Sequence, residues 1–185
     1  MRKTLISKAV AAAFLLGLGA PIAPVTAPSA QAANSQAMCT SFKVELLNGL
    51  HAFGTSVVRG ATTPDSFKAA LYLASATTGA ANTVYTATGE VSGAGYTAGG
   101  VDLTGAPDWI APTSTGTTAF STPTASIVYT TVTLATAFDA VMIYNSTQGN
   151  KAVSVHTFGS QTVTAGTFTL TMPTNDATTG LIRIA

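Results

Sequence analysis

Charge is what this chain has least of. Only 8% of its 185 residues are Asp, Glu, Lys or Arg, against about 25% in an ordinary soluble domain. Setting aside Arg2, Lys3 and Lys8, five basic residues face seven acidic ones. No basic stripe can be drawn from so few, which argues against a nucleic-acid partner. Cysteine is nearly absent too. With Cys39 alone, an intrachain disulfide is impossible and a thiolate zinc cluster has no ligand set. Two histidines, His51 and His156, and one tryptophan, Trp109, complete the list of scarce residues.

Residues 1–37 read as a signal-peptide-like leader or an N-terminal arm. Arg2, Lys3 and Lys8 make a basic start, Ala9–Gly19 an apolar run, and Ala30-Gln31-Ala32 a small-x-small cleavage site. The run is shorter than the about 20 residues a bilayer core requires, and Pro21, Pro24 and Pro28 would break any extension of it. No membrane span is expected. Cleavage near Ala33 would produce an exported protein, secreted or held at the cell surface. Retention would leave an Ala/Pro-rich strap able to lie along a neighbour.

What remains, 38–185, reads as one β-domain. "TSFKVELLNGLHAF" spaces Phe42, Leu46, Leu50 and Phe53 as a short helix would, with Thr40 or Ser41 to cap it. "FKAALYLAS" alternates from Phe67 as a strand does, with Phe67, Ala69, Leu71 and Leu73 on one side and Lys68, Ala70 and Tyr72 on the other. A glycine-dense stretch then holds a strand near Val101–Leu103, and Pro107, Pro112 and Pro123 mark loops. Strands are expected over Ala125–Leu134, Ala140–Tyr144, Val153–Phe158, Thr167–Met172 and Leu181–Ile184, with a turn at Asn145–Asn150. Short strands with regular turn signals predict a mainly-β fold. An antiparallel β-sandwich or jelly-roll-like single domain fits, with a short N-terminal helix or arm.

Chemistry finds little to work with. Asp102 and Asp108 suggest a carboxylate pair, but their Gly/Pro surroundings are those of turn residues. "GAGYTAGG" (Gly93–Gly100) lacks the dinucleotide spacing and no helix follows it. His156 lies on the less apolar face of its strand without a nucleophile-elbow motif, as a surface or interface histidine would. Asn145-Ser146-Thr147 matches the glycosylation pattern but sits in turn chemistry. No catalytic, cofactor or metal residue is expected. Trp109, with Ile110 beside it in "APDWIAP", is the candidate partner contact: a large aromatic in a Pro-flanked loop is either an exposed anchor or a plug over the sandwich end.

The blocks "SFKVELLNGLHAF", "EVSGAGYTAGG" and "MIYNSTQGNKAVSVHTFGSQTVTAGTFTLTMPTNDATTGLIRIA" resemble a family of small virion structural proteins of tailed bacteriophages, over about residues 38–185. The resemblance implies a non-enzymatic protein, first a capsid decoration (cement) protein binding the major capsid protein or other virion proteins as a homo-oligomer, a trimer favoured. A tail or fibre component is the second choice. It departs from the family in its leader, since Met38 is where such a chain would be expected to start. An exported adhesin-type β-domain that binds glycans through aromatics such as Trp109 is the alternative of a different class.

Overall fold

The computed structural model describes residues 34–39, 41–42, 46, 50–51, 53, 63–103 and 108–185. The leader before residue 34 and most of the segment expected to be helical lie outside them. Among the described residues no helix is long and apolar enough to cross a membrane.

Eight strands are described: β1 (Ala37–Met38), β2 (Phe67–Leu73), β3 (Val101–Asp102), β4 (Thr113–Thr115), β5 (Thr118–Ser121), β6 (Ile127–Asn145), β7 (Lys151–Leu170) and β8 (Ile182–Ile184). They form two antiparallel sheets. The larger has the order β1-β7-β6-β2-β3, the smaller β4-β5-β8. The domain is therefore mainly β, of the generic sandwich kind, and a jelly-roll order is not traced among the described residues.

The long hairpin β6–β7 organises the larger sheet. Expected as four strands, it forms two, because Ala135–Asp139 and Gly159–Gly166 stay extended across repeated shifts of register between Tyr129 and Tyr144. Bulges absorb extra residues without ending a ladder. Two of the irregular positions, Thr131 (φ 53°) and Ala165 (φ 45°), take left-handed backbone. The expected turn closes the hairpin: Asn145 Oδ1 accepts from Gln148 N at 3.0 Å, and Gly149 (φ 65°) and Asn150 (φ 58°) make the reversal.

Strand β2 pairs with β6 from Phe67↔Asn145 to Leu73↔Phe138. Alternation predicts one covered face, but Ala69, Ala70, Leu71 and Tyr72 are all fully buried. The second face is covered by the Gly/Thr-rich stretch after β2, which folds back across it. There Tyr85 stacks on Tyr144 at 4.7 Å, and Tyr72 donates its hydroxyl to Thr86 O. Gly100 permits the close approach. Its φ is +77°, and a Cβ there would stand 1.7 Å from Ala69 O.

On the opposite face Phe67 meets Phe53 and Trp109, and Ile182 of β8 joins the same apolar core as Ile127 and Ile143. The proline-marked segment is not only loop. Between Pro112 and Pro123, β4 and β5 make a tight hairpin around Gly116 (φ 60°) and Thr117, a two-residue Gly-x turn that matches strand twist.

Residues before Met38 are also bonded to the sheet, Ala37 within β1 and Asn34 through its side chain. Asn34 uses its whole side-chain amide: Nδ2 donates to Asp139 Oδ1 (2.6 Å) and Leu73 O (3.0 Å), while Oδ1 accepts from Thr78 N (3.0 Å) and Thr78 Oγ1 (2.5 Å).

Candidate functional site

Trp109 is not an exposed anchor. Its residue is 2% accessible, and its ring meets Phe53 edge-on at 4.9 Å and Phe67 at 5.5 Å. The bridge between Trp109 and Pro123 and the bond from Ile110 N to Thr122 O hold the loop against the β5 end, so the ring turns inward as a plug. Its indole Nε1 is buried without a partner. Ile110, the other contact candidate, is half-buried.

The two aspartates are not brought together as a working pair. Asp102 sits on β3, not in a loop, and pairs with Lys68 of β2 at 3.4 Å. Asp108 accepts from the following Trp109 N through Oδ1 at 2.7 Å, the expected use of a turn residue. Asn145 is fully buried and its amide nitrogen bonds Asp65 Oδ2 and His51 Nδ1, each at 2.9 Å. A side chain so placed offers nothing to a glycan. Cys39 is buried, with its thiol 3.8 Å from Gly79 O.

Three polar clusters emerge that sequence reasoning did not single out. In the first, Glu90 accepts from Tyr85 Oη (2.5 Å), Tyr96 Oη (2.6 Å) and Gly99 N (2.7 Å). Tyr144 donates to Gly99 O and Tyr129 to Ala69 O nearby. Burial, aided by the Glu90 charge, pushes the hydroxyls of Tyr72, Tyr85, Tyr96 and Tyr129 well above the ordinary phenol range, and that of Tyr144 to about 12. These are neutral donors, not nucleophiles. Three hydrogen bonds occupy most of what one carboxylate can accept, so the cluster pins a loop to a sheet. The visible signal was the gathering of tyrosines about a lone glutamate in "VYTATGEVSGAGY".

The second cluster joins His51, Asp65, Asn145 and Gln148 at the β6–β7 turn. Gln148 Nε2 donates to Asp65 Oδ1 at 2.9 Å. Because Asn145 Nδ2 can only donate, His51 Nδ1 accepts and its proton lies on Nε2. His51, Asp65 and Asn145 are all buried, which is the setting of a structural network.

In the third, Ser154 Oγ and His156 Nε2 are 2.9 Å apart on β7. His156 is half-buried, not on an open surface. Burial lowers its imidazole from 6.5 to about 4. The face is covered because Leu170–Leu181 returns over it, which strand alternation alone does not reveal. Among the described residues no group of three His, Cys, Asp or Glu is placed to hold a metal ion.

Compared with protein-family models, with curated proteins and with solved structures, the chain matches none.

Proposed function

We propose that the chain is a non-enzymatic virion structural protein of a tailed phage, first a capsid decoration (cement) protein seated on the major capsid protein as a homo-oligomer. The outer edge of β7 supports this reading. β1 covers that edge at Ser154 and Val155, and Val84 bridges to Lys151. From His156 to Leu170 no strand covers it among the described residues. That run holds no Lys, Arg, Asp, Glu or Pro. Solitary β-proteins blunt their edges with such residues. An edge whose bulges twist it but leave it uncharged suits a chain whose neighbour supplies the next strand.

The holding force follows from composition. Apolar burial at about 25 cal/mol per Å² and backbone pairing carry the contact, since there are too few charges for ion-pair clamps. A tail or fibre position would use the same edge. The glycan-binding adhesin loses its main support, because Trp109 is buried.

Washing purified particles tests the reading. Raising salt from 0.1 to 1 M shortens the Debye length from about 10 to 3 Å, so the chain should stay bound in 1 M NaCl and leave in mild denaturant. Release by salt alone, or absence of the chain from particles, contradicts it.

A further inference from the structure

A pocket of about 190 Å³, partly open to solvent, lies between the larger sheet and the returning stretch Leu170–Leu181. Val141, Ile143, Phe158, Leu170 and Met172 make it apolar, and the His156 imidazole is set among them.

Ser154 decides which nitrogen of that ring carries the proton. The serine is buried, and among the described residues the one bond of its Oγ is to His156 Nε2. A buried hydroxyl without an acceptor costs about 1–3 kcal/mol, so its hydrogen points at Nε2. Nε2 then accepts, and the neutral ring holds its proton on Nδ1. Among the described residues Nδ1 has no hydrogen-bond partner, and the ring lines the pocket. The wall thus presents an oriented imidazole N–H donor, with Thr157 and Thr171 as the other polar residues of an otherwise apolar lining.

We propose that this cavity binds a small uncharged apolar molecule bearing one carbonyl oxygen, which accepts from His156 Nδ1–H while its body fills the space beside Phe158 and Met172. Size sets the class: a dry cavity of about 150 Å³ takes up benzene, so a monocyclic ketone fits here. Charge sets it as well. The lining holds no Lys, Arg, Asp or Glu, and an ion buried without a partner is strongly disfavoured. This site is independent of the virion reading.

The test uses the full chain, ¹⁵N-labelled and titrated with acetophenone and with α-methylstyrene, the same shape with methylene in place of oxygen. Acetophenone should bind about tenfold more tightly, the ratio one neutral hydrogen bond supplies, with shifts centred on Val141, His156 and Leu170. His156→Phe should abolish the preference while hydrocarbon binding persists. Two readouts need no substitution: the imidazole ¹⁵N pattern of the free chain should report Nδ1–H, and the two probes should differ in affinity. A proton on Nε2, equal affinities, or no binding up to the solubility of the ketone would each overturn the proposal. Shifts at the same residues that follow protein concentration without a probe would do so too, by showing a second copy in the site.

Discussion

Tyr96 donates its hydroxyl to Glu90 Oε1 at 2.6 Å while accepting from Leu71 N at 3.1 Å. One phenol therefore ties the glycine-rich loop to the backbone of β2 and to the carboxylate that gathers Tyr85 and Gly99. The loop has few large apolar groups of its own, so these bonds do for it what side-chain packing does for the strands.

Glu90→Gln should cost about 1–3 kcal/mol in urea unfolding, because the amide oxygen can serve only part of the three donors and its NH₂ would face a phenol. Tyr96→Phe should cost a similar amount. The double variant should lose less than the sum, since the two side chains share one bond. Strict additivity would show that the pair does not act together.

Alkaline pH should unfold the domain through the same cluster. The tyrosines have hydroxyls raised from 10.0 in the fold, so the folded state holds its phenolic protons more tightly than the unfolded chain. Their contribution is whole below pH 10 and is lost as pH rises beyond it, through about 12 for Tyr144. Tyrosinate absorbance should rise in one cooperative step with loss of β circular dichroism. Separate, gradual ionisation of a folded protein would refute this.

Acid acts at the other side of the sheet. His156 is lowered from 6.5 to about 4, so protonation favours the unfolded chain. Stability should be level above pH 6.5 and fall as pH drops through 4. His156→Gln should flatten that fall between pH 6.5 and 4 in urea titrations, and an unchanged slope would assign the acid loss elsewhere.

Trp109→Ala should act on folding. Removing a buried aromatic costs about 3–5 kcal/mol, and here it would also uncover Phe53 and Phe67. Trp109→Phe keeps the edge contacts and loses the unpartnered Nε1, so thermal unfolding should show a much smaller loss. Weakened particle binding with unchanged stability would restore Trp109 as a contact anchor.

The mainly-β character was legible because alternation is local: Phe67–Leu73 and the turn at Asn145–Asn150 stand where the pattern places them. What alternation cannot tell is which face a later segment will cover. Ala70 and Tyr72 look outward until the glycine-rich stretch folds over them. Strand length was misread for a related reason, since bulges let β6 run through Ala135–Asp139. Prolines concealed the β4–β5 hairpin, although Gly116-Thr117 between threonines is its turn signal. The polar clusters were least legible, because Asn145 meets Asp65 across 80 residues and Asn34 meets Asp139 across 105.

Lysines on the β7 edge should separate assembly from folding. Thr162 and Thr169 are exposed, so Thr162→Lys with Thr169→Lys should change stability by only about 0.5 kcal/mol each. Under the edge-pairing proposal, the same changes should sharply reduce retention on particles.

Hydrogen exchange read by mass spectrometry, on the chain alone and within washed particles, tests the assembly claim most directly. In the free chain the outward amides of Thr157–Leu170 should exchange quickly, since no strand covers that edge among the described residues. In particles the same stretch should become protected while Phe67–Leu73, already fully paired, changes little. Exchange over 157–170 as fast in particles as in solution would contradict edge-mediated assembly, and a chain that never co-purifies with particles would contradict the virion reading itself.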